Sequence, residues 1–354
     1  MNVLVLSAGK RVKIVRYLQR ALAGSGRVIV TDCSALAPSL YVADGAHVVP
    51  RADCPDYVDT ILEICEREAI GLCLPSIDAE LEPLAARASE FSERGITLMI
   101  SPLDQVQLAG NKWRMYQFCR AHDIATPRTW VDLAELTRDL GAGDISFPLF
   151  TKPVQGAGSA HIQVVRDAAE LDEALAARPD LMIQEIMVGD PLDVDVYIDT
   201  VSGEVCGISA KQKLRMRDGT ADKSIMIEDP ALTAFVLDFC RATGFRGGLD
   251  IDLFTVDGGY SLLEVNPRFG WAYAHSHECG ADFIRLMLRN AAGLSNPALG
   301  EGIGGAAVRG SGERPDENGS GAGATSASGP GLEGAVRGNV ALSYDEPVMA
   351  RLGE

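Results

Sequence analysis

The chain has 354 residues, 47% of them apolar and 23% charged, which is enough for a large core and more than one domain. A formal charge of −17 excludes a general binder of phosphate backbones, which needs a basic face, but allows a local basic pocket for one small anion. The eight cysteines form no CxxC or zinc spacing, no stretch approaches the ~20 apolar residues of a membrane span, and "MNVLVLS" is too short for a secretory core; a cytoplasmic protein without nucleic-acid or membrane partners is predicted.

"NVLVLS" (2–7) reads as a buried parallel strand that turns at Gly9 into a helix with Val12, Val15, Leu18 and Leu22 on one face. "RVIVTDCS" is a second strand, "PDYVDTILEICEREAI" a second helix and "GLCLPSID" a third strand leading into the helix "AELEPLAARASEFSERG". "ITLMISP" closes the unit, and the alternation of strand and helix predicts a doubly wound α/β domain over 1–105. From 103 to 127 the pattern is helical and stops near Pro127. Residues 147–165 read as two strands around a glycine-rich turn, followed by the helix "DAAELDEALAAR" and the strand "LMIQEIMVG". Two hairpins follow, one turning at Ser202-Gly203 and one at Asp257-Gly258, with the helix "PALTAFVLDFCRATG" between them. This second unit, 106–297, is α+β, with 125–188 as a smaller subdomain. Residues 298–338 are dominated by Gly, Ala and Ser, too poor in apolar side chains to offset their ordering entropy, and read as a disordered linker. Strand character returns over 339–354.

In "SLLEVNPRFG" (261–270), Glu264, Asn266 and Arg268 recur at every second position and so share one strand face. Asp250 and Asp252 share a face of the partner strand, so one of them lies opposite Glu264. Carboxylates on a half-buried sheet need compensation, and carboxylate plus carboxamide oxygen is a ligand set that suits Mg²⁺. In "KPVQGAGSA", Gly156, Gly158 and Ser159 let backbone N–H groups approach phosphate oxygens, with the charge of Lys152 beside them. The basic run 210–224, with Lys211, Lys213, Arg215, Arg217 and Lys223, is either a solvated loop or a clamp for an anionic substrate. His275 and His277 read as pocket-lining residues rather than a metal pair, and Cys279 as a small buried residue.

In order and spacing these pieces resemble the ATP-grasp superfamily, particularly its members similar to the carbamoyl phosphate synthase large subunit. The resemblance covers about 1–296 and rests on "KP-x-x-G-x-G-S" at 152–159, "QE" plus glycine at 184–189 and "E-x-N-P-R" at 264–268. It implies a nucleotide held between two α+β subdomains behind an N-terminal α/β domain. Lys112 and Lys152 match the basic residues on the phosphates, and 155–160 the loop that closes over them. Glu185 and Met187 match the hinge that reads the adenine edge, while Asp252, Glu264 and Asn266 match the ligands of Mg²⁺ or Mn²⁺. Arg268, with Lys152, matches the charges that stabilise the transferred phosphoryl group. The family's ribose-binding glutamate is replaced by Pro191, leaving Asp190 or Asp193 to substitute, and Asp250 competes with Asp252 for the metal position.

The implied function is a ligase that uses ATP to convert a carboxylate into an acyl phosphate and joins it to an amine or similar nucleophile. Its partners are small molecules, with a homodimer as the implied assembly. Activation of bicarbonate or carbamate is an alternative, although the chain lacks the synthase's length and second half. A nucleotide-binding protein without catalysis is another. An NAD-dependent dehydrogenase is disfavoured, because "SAGKRVK" carries one glycine where a dinucleotide fingerprint needs three.

Overall fold

The computed structural model describes residues 1–156, 161–217, 220–300 and 340–342. In its N-terminal part, apolar runs form five parallel strands: β1 (Asn2–Val5), β2 (Val28–Asp32), β3 (Gly45–Val48), β4 (Ile70–Leu74) and β5 (Thr97–Leu98), in the order β3-β2-β1-β4-β5. The helices between them are α1 (Val12–Leu22), α2 (Tyr57–Arg67), α3 (Asp78–Ala86) and α4 (Ala88–Glu93). The predicted single helix over 79–95 is therefore two, and β3, whose residues alternate between half-buried and exposed, carries too weak a pattern to be read from sequence. β2 is buried along its whole length because both faces of the sheet are covered. One face packs on α2, α3 and α4 through Leu4, Leu6, Ile29, Tyr57, Leu84 and Phe91. The other is covered by α1 together with Phe269, Tyr273, Phe283, Ile284 and Met287 from the far end of the described fold. The first domain therefore completes its core with side chains of the second.

The predicted helical stretch 103–127 divides into α5 (Leu103–Gly110) and α6 (Lys112–Ala121). The break is at Asn111, whose extended backbone lets its side-chain oxygen accept from the Arg114 N–H and cap α6. A four-stranded antiparallel sheet follows, ordered β6-β9-β7-β8, from β6 (Thr129–Trp130), β7 (Leu149–Pro153), β8 (Gln163–Val165) and β9 (Leu181–Glu185). It packs on α7 (Leu133–Ala142), which the sequence reading did not contain, and α8 (Ala168–Ala177), around Trp130, Leu136, Leu149 and Leu171.

The third sheet, antiparallel and ordered β14-β13-β10-β11-β12-β15, contains β10 (Pro191–Ile198), β11 (Val205–Arg217), β12 (Thr220–Ile227), β13 (Gly247–Val256), β14 (Gly259–Asn266) and the short β15 (Val340–Leu342). Both predicted hairpins form at their expected turns. Leu192, Val194, Ile251 and Val265 project from one face into the core with α9 (Pro230–Ala242), while the polar residues between them project from the other. Beyond β14 come α10 (Tyr273–Glu278) and α11 (Phe283–Ala291). Most of the predicted linker, 301–338, lies outside the described residues, as does the C-terminal segment apart from β15.

Candidate active site

Strand register builds a charged surface on the polar face of the six-stranded sheet. Glu264 on β14 pairs with Asp252 on β13, Asp252 with Asp193 on β10, and Asp193 with Lys211 on β11. In the next row, Asn266 pairs with Asp250 and Asp250 with Asp195. Carboxylate oxygens of Asp193, Asp250 and Asp252 all lie within 4.8 Å of one another.

Such an acid cluster persists under burial because cations reach into it. Lys211, fully buried, contacts Asp195 and lies 2.9 Å from Asp193. Lys213 contacts Asp252, and Arg268 spans Asp250 at 2.9 Å and Asp78 of the first domain at 3.1 Å. Burial pushes the carboxyls of Asp195, Asp250 and Asp252 upward. Burial alone would lower Lys211, but the facing Asp193 and Asp195 outweigh it and hold the ammonium protonated. The basic run is thus neither a loop nor solvated at its start: Lys211 and Lys213 lie on β11 and point into the acids, whereas Arg215 is exposed.

At the other edge, Lys112 and Lys152 converge from separate elements. Lys112 opens α6, its backbone N–H donating to the Val154 carbonyl, and its Nζ lies 3.1 Å from Glu264 Oε1 and donates to the Gly156 carbonyl. Lys152 is buried on β7, where desolvation lowers its ammonium to about 8; Glu264 opposes that shift and Lys112 reinforces it. A narrow cleft between the sheets is lined here by Lys112, Met115, Met182, Gln184, Leu263 and Glu264.

The remaining expected residues are more dispersed. Glu185 ends β9 and its carboxylate accepts the Arg128 N–H at 2.7 Å, tying that strand to β6. Met187 lies between β9 and β10. Asp190 is exposed, its backbone N–H donating to Thr255 Oγ1 at 2.8 Å. Asp193 is committed to the acid cluster rather than open to solvent. Gly158 and Ser159 lie outside the described residues. His275 accompanies Ser224 at 2.8 Å and His277 stacks on Tyr17, so neither belongs to the acid cluster.

Sequence reasoning missed Asp195 and Asp78, and left Asp193, Lys211 and Lys213 without a metal-side role. "LDVDVYI" repeats the two-residue acid spacing of "LDIDLF", and that shared spacing was the available signal.

Carboxylate and carboxamide oxygens, with Asp195 Oδ1 buried and lacking a hydrogen-bond partner among the described residues, suit a hard divalent cation. Adjacent lysines suit phosphate. Residues 3–99 match the family "PylC-like, N-terminal domain" and residues 109–271 the family "ATP-grasp domain". The carbamoyl phosphate synthase large chain of Thermus thermophilus is 26% identical over 230 residues, covering 60% of this chain and 22% of that protein. A D-alanine--D-alanine ligase of Azoarcus sp. is 30% identical over 207 residues, covering 54% of this chain and 65% of the ligase. Among solved structures, the biotin carboxylase domain dimer of Hydrogenobacter thermophilus 2-oxoglutarate carboxylase, in complex with MgADP, ADP and bicarbonate, superposes with a TM-score of 0.65 at 18% identity. That match covers 83% of this chain and 70% of the other. The chain thus spans about a fifth of the length of the synthase large chain it matches. No helix among the described residues is long and apolar enough to cross a membrane.

Proposed function

This chain carries a PylC-like N-terminal domain followed by an ATP-grasp domain, and on that premise we propose that it is an ATP- and magnesium-dependent ligase joining a carboxylate to an amine. The observation that carries the reading is the meeting of Lys112, Glu264 and buried Lys152 at the edge of the acid row. Lys112 and Lys152 hold the phosphates, with the Gly156 carbonyl beside Lys112 at the same edge. Backbone groups of Glu185 and Met187 take the adenine edge, and Asp190, the exposed acid beside Pro191, takes the ribose hydroxyls.

Asp252, Glu264 and Asn266 would hold Mg²⁺ or Mn²⁺, with Asp250 and Asp193 completing the negative surround. When bound, the ion neutralises phosphate oxygens and fixes their geometry. Arg268, held between Asp78 and Asp250, supplies positive charge to the phosphoryl group in transit. The substrate carboxylate oxygen attacks the γ-phosphorus, and the bond to the ADP oxygen breaks. The amine then adds to the acyl carbon, loses a proton and expels phosphate. Closure of the cleft excludes the water that would hydrolyse the acyl phosphate.

The test is product analysis after incubating Mg-ATP with the protein and pooled amino acids and small carboxylic acids. Substrate-dependent ADP and phosphate are expected; AMP and pyrophosphate would replace this mechanism with adenylation. Light scattering tests whether the chain forms a homodimer.

A further inference from the structure

We infer that Trp271 and Lys10 form the recognition platform for the carboxylate substrate, and that this substrate carries a flat, apolar body; the inference rests on the ligase reading. Trp271 follows Arg268 by three residues in the turn between β14 and α10, and the residue is 40% exposed. An aromatic face left partly open beside a charged site is the kind of surface on which a ligand's flat apolar body packs.

This indole is held in place from both sides of the domain boundary. The buried Arg11 guanidinium sits 4.0 Å from the ring centroid. Its Nη1 donates to the carbonyls of Phe269 at 3.1 Å and Gly270 at 3.2 Å, and its Nη2 to that of Ser76 at 2.8 Å. A Cβ at Gly270 would lie 2.8 Å from Asp250 Oδ1 and 3.0 Å from Asp195 Oδ1, so the turn is pressed onto the acid row where only glycine fits. A ring fixed this firmly and still open to solvent can discriminate shape.

The topology puts the platform at a ligand crevice. The order β3-β2-β1-β4-β5 reverses direction between β1 and β4, and ligands of open parallel sheets bind outside the carboxyl ends at such a reversal. Lys10 and Arg11 follow β1, and Ser76 and Asp78 follow β4. The Arg268–Asp78 ion pair crosses the same gap at 3.1 Å. The inferred pose lays the substrate body on Trp271 and its carboxylate in the gap that the Arg268–Asp78 pair spans.

Charge selects further. Lys10 is exposed, with Nζ 5.8 Å from the indole centroid, and gives this rim a positive charge. An anionic aromatic body is favoured and a cationic one opposed. Bicarbonate has no surface to lay on an indole, so the platform argues for a larger acid.

Saturation-transfer NMR on the full chain with Mg-ADP, using benzoate, cinnamate and acetate as probes, tests the assignment. The aromatic acids should bind in preference to acetate, and Trp271→Ala should weaken them roughly tenfold while leaving Mg-ADP affinity unchanged. Trp271→Phe should retain most of the binding, and Lys10→Gln should weaken it several-fold. Aromatic acids that bind Trp271→Ala as tightly as the parent, or fail to bind the parent, would overturn the inference. ATP turnover supported by bicarbonate alone would do the same. A parent protein that does not bind Mg-ADP would overturn the ligase reading, and this inference with it.

Discussion

Glu80 in the N-terminal domain and Asp252 in the six-stranded sheet are both carboxylates withdrawn from water, yet they are satisfied by different kinds of partner. Glu80 accepts from Ser7 Oγ and Tyr57 Oη, each at 2.7 Å, and from the backbone N–H groups of Ser76 and Ile77. Four neutral donors, two of them main chain, fix it as part of the fold at the start of α3. Asp252 and its neighbours rely instead on Lys213, Lys211 and Arg268. Long cationic side chains can swing away or share their acid with another cation, whereas a backbone amide cannot. The first arrangement is that of a structural anchor, and the second is one that the proposed metal site could use.

Substitutions that move one region and spare the other probe this contrast. The largest effect is expected from Glu264→Ala, which removes a proposed metal ligand but little core volume. Turnover should fall by roughly 10²–10³-fold while the urea midpoint stays put. Near-normal turnover would remove Glu264 from the site.

Glu80→Ala should do the reverse. Leaving buried donors without an acceptor should cost about 3 kcal/mol of stability, read from denaturant unfolding, while the folded fraction keeps its affinity for ATP. If the variant is as stable as the parent, Glu80 is no anchor.

Lys152→Ala, between these extremes, should weaken ATP binding by roughly tenfold or more through loss of a charged hydrogen bond, measured by calorimetry. Unchanged affinity would take Lys152 out of the phosphate site.

The smallest effect is expected at the domain boundary. His277 stacks 3.8 Å from Tyr17 and packs edge-on against Tyr273. Burial lowers its pKa from 6.5; Asp282 and Glu278 oppose the shift, and Arg20 adds to it. The unfolded chain then takes up the proton more readily than the folded one. The stability contributed by neutral His277 is full above pH 6.5 and is lost as pH falls below it toward the folded value. Thermal unfolding at pH 7.5 and 5.5 should show a smaller acid-induced drop for His277→Gln than for the parent. Equal drops would show that His277 does not couple the domains to pH.

Several parts of this site were legible as local patterns. Alternation in "LLEVNPR" and "LDIDLF" places Glu264, Asn266, Asp250 and Asp252 on chosen strand faces whatever the rest of the chain does, because side chains on a strand repeat every two residues. The Asp257-Gly258 turn then brings those two strands together, with Asp252 opposite Glu264. The helix over 103–127 was misread as continuous because its break depends on a single capping amide at Asn111. Strand β6 and β3 were missed because two to four residues carry too little periodicity.

By itself, the sequence determined the opening strand–helix alternation, the hairpins and the rows of alternating polar residues, all of which follow from spacing between near neighbours. Only the tertiary structure decided that β10 lies between β13 and β11, which brings Asp193 and Asp195 beside Asp250 and Asp252 and turns Lys211 and Lys213 inward. It alone joined Asp78 to Arg268 and set Arg11 against Trp271 across the domain boundary. The physical reason is that a charged side chain's role depends on which remote charge shares its low-dielectric surroundings. Spacing along the chain carries no record of that neighbour until the sheets have been assembled.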